Sequence, residues 1–397
     1  MYENMTILAA FVFVYSIASG GLAKTPVNGA IVFTAFGVLL GPPGFGFLQL
    51  SAGTEQIRLL AELTLSLVLF TDAANSNLDV LKHSFRVPGR LLLIGLPLTI
   101  LLGFGVGVLL FDKLSLLEIA LLATMLAPTD AALGKAVVTD ESVPPTIREG
   151  LNVESGLNDG ICVPVLLLFL AMATHPAQGG VSMLALNLVA GQIGLGVVIG
   201  AVLTLLAAWL FKFFARMGWI SESWRQLPVP ALAVACFAMA QWLGGSGFIA
   251  AFTGGLLFGW LAKEHKHALL LAAEGTGDTL ALITWVVFGA VVIGRVVGHI
   301  EWQMVLYALL SLTLIRMLPV FLALAGLGLR APEKLFIGWF GPRGLASIVF
   351  GVIVFDEHLP GGVTLAATVV CTIVLSIVIH GLSAIPLVAA LKRRVRQ

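Results

Sequence analysis

Ala127-Pro128-Thr129-Asp130 and Glu154-Ser155-Gly156-Leu157-Asn158-Asp159-Gly160 carry three acidic side chains into segments that are otherwise apolar. Ionisable side chains within membrane-spanning segments are rare, face the protein interior and mark ion or proton paths. Thr129, Ser155 and Asn158 add neutral oxygen atoms beside the acids. Together the two motifs predict a site in which oxygen ligands hold a small hard cation in competition with a proton.

The composition of the chain predicts an all-α polytopic membrane protein. Of its 397 residues, 59% are hydrophobic and only 11% are charged, whereas soluble domains carry about 25% charged residues. A helix needs about 20 largely apolar residues to cross a membrane. The sequence has about thirteen candidate spans, at residues 5–20, 27–43, 56–74, 90–111, 115–138, 146–173, 182–213, 228–244, 247–262, 273–294, 302–326, 333–356 and 362–390.

Basic residues predict the orientation, because Lys and Arg accumulate in cytoplasmic loops. Most of the 22 basic residues follow the odd-numbered spans or the last span, so we expect the N-terminus outside and the C-terminus in the cytoplasm. The net charge of +1 gives no indication of a nucleic-acid partner. No soluble domain is expected, since the polar stretches between the predicted spans are loop-sized.

Two predicted spans are interrupted near their charged residues. Pro128 lacks a backbone donor and disfavours helix at the preceding residue, which predicts a break at residues 127–130. Gly341-Pro342-Arg343-Gly344 predicts a similar break in the twelfth span. Paired discontinuous helices are typical of inverted-repeat transporters, whose binding site lies near the middle of the membrane. The alternative is two unrelated proline kinks.

Helical spacing divides the polar residues of the sixth span into two stripes. Residues four apart share a helix face, so Ser155 lies with Asp159, and both can meet Thr129 and Asp130 at the break of the fifth span. These four residues are the predicted cation ligands, and Asn158 lies with Glu154 on the neighbouring stripe. The oxygen atoms suit a hard cation and are poor ligands for soft metals.

Glu154 faces elsewhere and needs its own partner, because an uncompensated buried charge is strongly destabilising. Arg316 in the eleventh span is the preferred partner, which predicts a structural ion pair. Arg343 is the alternative partner; otherwise it sets the charge at the break of the twelfth span and occupies the carbonyl groups there.

Three further acids lie at the predicted cytoplasmic ends of spans. Glu274 and Asp278 begin the tenth span and either line a cytoplasmic funnel or complement the helix dipole. Asp72 ends the third span, where the sequence favours a helix-end or loop contact over an ion ligand.

The motifs at 127–130 and 154–160, Arg316 and the motif at 341–344, in this order and spacing, resemble the NhaP-type sodium/proton antiporters of the first family of the monovalent cation:proton antiporter superfamily. The resemblance covers essentially the whole chain. It implies a homodimer of thirteen-span subunits in a prokaryotic inner membrane, with inverted repeats and with broken fifth and twelfth helices that cross. The core domain is expected at about 90–173 and 302–390 plus the third span, and a dimerisation domain in the remaining spans.

The resemblance also implies residue roles. Asp159 is expected to carry the cation or the proton, Asp130, Ser155 and Thr129 to shape the site, and Asn158 to hold the neighbouring helix. Electrogenic relatives have two adjacent aspartates where this chain has Asn158-Asp159, so the resemblance implies electroneutral one-for-one exchange.

Several functions remain open from the sequence. Selectivity depends on cavity size and ligand number, so potassium/proton exchange is the main alternative to sodium or lithium. A passive cation channel would also accommodate broken helices and central carboxylates. We expect no enzymatic activity and no cofactor; the partners are the transported cation, a proton, the lipid bilayer and a second subunit.

Overall fold

The computed structural model describes residues 2–22, 25, 27–50, 53–76, 86–130, 133, 137, 140, 143–174, 183–262 and 266–395. Helices are the regular secondary structure of these residues, and no strand occurs among them. Most of the predicted fifth span beyond residue 130 lies outside the described residues. So do some basic residues that predicted the orientation, namely Lys24, Lys82, Lys135, Lys263 and Arg396.

We number the helices of the described residues in chain order. They are α1 Tyr2–Leu22, α2 Gly29–Leu40, α3 Thr54–Asn75, α4 Arg86–Leu110, α5 Leu116–Met125, α6 Pro145–Thr174, α7 Met183–Arg216, α8 Pro228–Trp242, α9 Gly247–Ala262, α10 Lys266–Val287 with short helical continuations to His299, α11 Trp302–Leu312, α12 Leu314–Ala323, α13 Ala331–Trp339, α14 Leu345–Asp356 and α15 Gly362–Val395.

The length and composition of these helices fit a membrane protein. Seven helical stretches are long and apolar enough to cross a bilayer, namely α1, α4, α6, α7, α10, α11 together with α12, and α15. Four shorter apolar helices accompany them, namely α2, α5, α9 and α14. The all-α membrane architecture expected from the composition is therefore present.

The helices pack in two groups. In one, α4 packs on α5 and α12, α5 packs on α6, and α15 packs on α11 and α14. In the other, α9 packs on α3, α7 and α8, and α10 packs on α2 and α3. The contact between α3 and α9 is close, because a Cβ on Gly255 would lie 2.2 Å from the carbonyl oxygen of Phe70.

The start of α5 is fixed by a capping box and its end lies at the first predicted break. The hydroxyl of Ser115 accepts from the backbone N–H of Glu118, and the Glu118 carboxylate accepts from the backbone N–H of Ser115. The other carboxylate oxygen of Glu118 accepts from the backbone N–H of Gly361 at 2.6 Å, next to the start of α15. After Met125 the chain leaves the helix and stays non-helical through residue 130.

The eleventh predicted span is not one continuous helix, which corrects the sequence expectation. Thr313 separates α11 from α12 with φ −116° and ψ −94°. The interruption leaves the carbonyl of Ser311 free for a tertiary contact, and the Arg343 guanidinium donates to it at 3.4 Å. Such a contact depends on a residue far away in the chain, so the local sequence did not reveal the interruption.

Candidate ion-binding site

Thr129 connects the break after α5 to helix α6. The hydroxyl of Ser155 donates to the Thr129 backbone carbonyl at 2.6 Å. The Asn158 side-chain amide donates to the Thr129 hydroxyl at 2.6 Å, and Asn158 is fully buried. Two polar residues of α6 therefore hold the non-helical chain in place.

Asp130 connects the two breaks. Its backbone N–H donates to the carbonyl of Pro342 at 2.8 Å. Its carboxylate accepts from the backbone N–H of Leu345, the first residue of α14, at 3.1 Å. Helix N-termini offer unpaired N–H groups and a positive partial charge, so the start of α14 is a favourable position for the Asp130 carboxylate. The contact needs Gly344, because a Cβ there would lie 2.0 Å from an Asp130 carboxylate oxygen.

Arg343 brings a positive charge to the opposite end of the break. The side chain is fully buried, and its guanidinium donates to the carbonyls of Ala127 at 2.8 Å and Pro128 at 3.1 Å. These carbonyls follow the C-terminal end of α5, where the helix dipole favours a cation. Arg343 therefore does not partner Glu154. The carbonyls that it occupies belong to the break of the fifth span, whereas the sequence analysis expected those of the twelfth, which corrects that expectation.

Glu154 and Arg316 form a bidentate pair. The two terminal guanidinium nitrogens donate to the two carboxylate oxygens at 2.6 and 2.7 Å, and each side chain is 1% exposed. Paired charges of this geometry satisfy one another where water does not reach. Glu154 is absent from the lining of the cavity that contains Asp159.

A cavity of about 380 Å³ between α3, α6 and α10 brings three of the four predicted ligands together. Asp159, Asp130 and Ser155 line it, and Leu345 closes one side. One carboxylate oxygen of Asp159 is buried with no hydrogen-bond partner among the described residues. Unpaired buried acceptors are costly, so this oxygen is available for a cation or a proton.

Thr129 and Asn158 do not belong to the cavity lining. The hydrogen bonds from Ser155 and Asn158 to Thr129 hold the non-helical chain beside the cavity. The Thr129 carbonyl has a second lone pair beyond the one that Ser155 uses.

Three more carboxylates line the same cavity, namely those of Asp72, Glu274 and Asp278. Asn75 donates to Glu274 at 2.6 Å, which joins α3 to α10 at this end of the cavity. The predicted funnel residues Glu274 and Asp278 thus lie in the same cavity as Asp159. Asp72, for which the sequence favoured a helix-end or loop contact, lines this cavity as well. The sequence signal for a role in the cavity was an acid that closely follows the apolar run ending at Phe70. Asp130 and Asp159 are likewise acids in apolar surroundings.

The other end of α3 carries a separate ionic cluster. Arg58 donates to Glu62 at 2.8 Å and also to Asp356 at the end of α14. Arg58 and Glu62 line a second cavity of about 340 Å³ together with Glu357. Fourteen residues of helix separate Arg58 from Asp72, about 21 Å along α3. The two polar cavities therefore lie toward opposite ends of this helix.

The chain matches a known protein family. The family described as "Sodium/hydrogen exchanger, transmembrane" matches residues 7–390. The chain belongs to this sodium/hydrogen exchanger family. The match covers both breaks and all the residues of the cavity, and it confirms the resemblance to NhaP-type antiporters that the motifs indicated.

Individual members of the exchanger family are similar over most of the chain. The K(+)/H(+) antiporter NhaP2 of Shewanella sp. (strain ANA-3) is 23% identical over 89% of this chain, which spans 61% of the length of that relative. The Na(+)/H(+) antiporter of Schizosaccharomyces pombe is 24% identical, with 91% of this chain and 84% of the relative covered. The sodium proton antiporter MjNhaP1 from Methanocaldococcus jannaschii has a similar fold, with a TM-score of 0.76 at 20% identity over 96% of this chain and 99% of that one.

Proposed function

We propose that the chain is a secondary antiporter that exchanges a sodium or lithium ion for a proton across a membrane. Asp159 holds the cation and the proton in turn. The observation that carries the proposal is the unpaired, buried carboxylate oxygen of Asp159 in a cavity that Asp130 and Ser155 also line. Membership of the sodium/hydrogen exchanger family supports it.

Burial explains how one carboxylate can couple the two ions. Removal from water disfavours the charged form of an acid, and either a proton or a bound cation offsets that cost. If the moving part crosses the membrane only when Asp159 is neutralised, one proton is exchanged for one cation. The amide of Asn158 carries no charge of its own, so the cycle is electroneutral.

The proposed ligands are carboxylate and neutral oxygens. Asp159, Asp130 and Ser155 face the cavity directly, and Thr129 contributes its backbone carbonyl from the break. Asp72 joins them from α3. Glu274 and Asp278 attract cations toward the cavity from the end that we propose is cytoplasmic. Hard monovalent ions favour such ligands over nitrogen or sulfur.

We infer thirteen membrane spans related by an inverted repeat. The fifth comprises α5 and its break, the twelfth comprises α13 and α14, and α11 with α12 forms the eleventh. The hydrogen bond from the Asp130 backbone N–H to the Pro342 carbonyl supports a crossing of the fifth and twelfth spans at this point. The N-terminus lies outside and the C-terminus in the cytoplasm of a prokaryotic inner membrane.

The proposed moving part is a core domain of residues 90–173 and 302–390, and the remaining spans form a homodimeric framework. The proposed division differs from the sequence-based one at helix α3, which the sequence analysis placed with the core. It packs along α9 and α10, which supports its assignment to the framework and not to the core. The cavity of Asp159 then lies between the two domains, where movement of one against the other would open it to alternate sides.

Proteoliposomes test the proposed exchange. A pH-sensitive dye inside the vesicles should report proton movement when sodium or lithium is added outside, and Asp159→Asn should abolish it. Potassium and rubidium are added in turn, since NhaP2 of Shewanella is named a potassium/proton antiporter. Undiminished exchange by Asp159→Asn would overturn the assignment, and cation flux without proton movement would indicate a channel.

Charge movement provides a separate test of stoichiometry. One positive charge crosses in each direction, so a sodium jump on a solid-supported membrane loaded with the protein should give no transient current that scales with a net charge per transport cycle. A current that persists at every pH would contradict one-for-one exchange while leaving the role of Asp159 intact.

A further inference from the structure

A third cavity is a crevice apart from the ion path, between α7, α8, α9 and α10. Its volume is about 410 Å³ and most of its walls are apolar. The larger apolar side chains that line it are Phe211, Pro228, Leu232, Phe258 and Leu269. Asp159 and the other residues of the ion-binding cavity do not contribute to it.

Three basic side chains line the same crevice, namely Lys212, Arg216 and Arg225. All three are exposed, and none makes an ion pair or a side-chain hydrogen bond within the described part of the chain. Glu222 is the acid next to them in sequence, and it also makes no ion pair there. The crevice therefore combines apolar walls with positive charges that have no ion-pair partner among the described residues.

Helix-dipole stabilisation accounts for only part of this arrangement. Lys212 and Arg216 lie one turn apart at the C-terminal end of α7, where cations interact favourably with the helix. Arg225 comes from a different segment, after the chain has turned at Gly218 with φ +70° and passed through a short 3₁₀ helix. The dipole of α7 therefore does not explain why Arg225 lines the same crevice.

Aromatic residues indicate the depth of the crevice in the bilayer. Trp219 and Trp224 lie in the connection between α7 and α8 and are 69% and 68% exposed. Exposed tryptophans collect at the level of lipid headgroups. Lys212, Arg216 and Arg225 belong to the loops that the basic-residue asymmetry assigns to the cytoplasmic side. In the proposed orientation, the charged mouth of the crevice faces the headgroups of the inner leaflet.

We propose that this crevice binds one anionic phospholipid. An acyl chain lies along the apolar wall, and the phosphate contacts Lys212, Arg216 and Arg225. Arginine forms paired hydrogen bonds with phosphate oxygens, and each basic residue near an anionic leaflet adds to the attraction. A soluble anion would leave the apolar walls uncovered, and a zwitterionic lipid would leave the net charge of the site uncompensated.

The lipid would fasten α7 and α8 to α9 and α10 at their cytoplasmic ends. Those helices belong to the framework against which the core is proposed to move. The site is therefore expected to affect the stability of the framework whether or not the transport proposal holds.

Lipid titration of the delipidated, detergent-purified protein tests the site. Dioleoylphosphatidylglycerol and dioleoylphosphatidylcholine have the same acyl chains and differ in headgroup charge. Native mass spectrometry should show one retained phosphatidylglycerol, bound at least about tenfold more tightly than phosphatidylcholine. Phosphatidylglycerol should also raise the unfolding temperature more than phosphatidylcholine does.

Variants locate the binding. K212Q/R216Q should remove most of the preference for phosphatidylglycerol, and R225Q alone should reduce it. In phosphatidylcholine, the unfolding temperatures of these variants should fall no further than that of the control variant, which also loses charges at a helix C-terminus. The matched control is K392Q/R393Q, which removes two exposed charges at the end of α15.

Three results would overturn the proposal. The first is an unchanged lipid preference in K212Q/R216Q, and the second is an equal loss in K392Q/R393Q, which would indicate general charge attraction. The third is a change of subunit number in K212Q/R216Q with no change of lipid preference, which would assign the crevice to contact with a second copy of the chain.

Discussion

Arg316 donates both terminal guanidinium nitrogens to the carboxylate of Glu154, from α12 to α6, at 2.6 and 2.7 Å. The residues are 162 positions apart in the chain, and both side chains are 1% exposed. This pairing withdraws one of the three acids of the opening motifs from the ion path. Asp159 and Asp130 remain for the cavity.

Removal of either partner of this pair should destabilise the protein. Glu154→Gln leaves Arg316 charged and unpaired, and the loss of one partner of a buried pair costs about 3–5 kcal/mol. We expect a clearly lower unfolding temperature in detergent for Glu154→Gln and for Arg316→Gln. The exchanged pair E154R/R316E should unfold at a higher temperature than either single variant. If both single variants unfold like the wild type, the pair has no structural role.

Gly344 should be required for the contact between the two breaks. A Cβ there would lie 2.0 Å from the Asp130 carboxylate oxygen, so Gly344→Ala must displace Asp130 from the N-terminus of α14. We expect exchange activity to fall below detection in proteoliposomes. The matched control is Gly351→Ala in the same helix, where the nearest atom, Val369 Cγ1, would lie at 3.4 Å.

Gly351→Ala should keep its activity, and its stability should be equal or higher, since Ala is favoured over Gly inside helices by about 1 kcal/mol. Equal activity of the two alanine variants would show that the position of Asp130 is not critical.

Asp72 should contribute to cation affinity. Its carboxylate lines the cavity of Asp159, so Asp72→Asn removes a negative charge near the bound cation. We expect the apparent KM for sodium to rise about tenfold, which corresponds to about 1.4 kcal/mol, with little change in unfolding temperature. Asp112→Asn, an exposed acid outside the cavity, is the control. A KM that is the same in both variants would return Asp72 to the helix-end role favoured by the sequence.

The contact between Arg58 and Asp356 should hold the second polar cavity closed. It joins α3 of the proposed framework to the end of α14 in the proposed core. In Arg58→Gln, a cysteine placed at Leu167, which lines that cavity, should react faster with a water-soluble maleimide added from outside. The three natural cysteines are buried, which keeps the background low.

Glu55→Gln is the control for this measurement, since Glu55 lies one turn from Arg58 and takes no part in the ion pairs of the described residues. Equal labelling rates for the wild type, Arg58→Gln and Glu55→Gln would contradict a closing role for the contact.

Sequence reasoning was strongest where the cause is local. Pro128 and Pro342 remove backbone donors wherever they occur, so the non-helical stretches after α5 and before α14 could be expected from the sequence. Arg316 could be proposed as the partner of Glu154 because few charges lie within apolar spans. Asp72 shows the limit of this approach, since its distance from Asp159 depends on how α3 packs beside α6 and α10.

The sequence by itself determined the membrane-embedded helices, the two breaks and the set of acids that must find partners in an apolar environment. These follow from hydropathy, from proline and glycine chemistry, and from the cost of burying a charge. Only the tertiary structure decided which partner each group takes. Arg343 binds the carbonyls of Ala127 and Pro128, and Asp130 meets the first N–H of α14. Such contacts join residues far apart in the chain, and the packing of whole helices sets their distances.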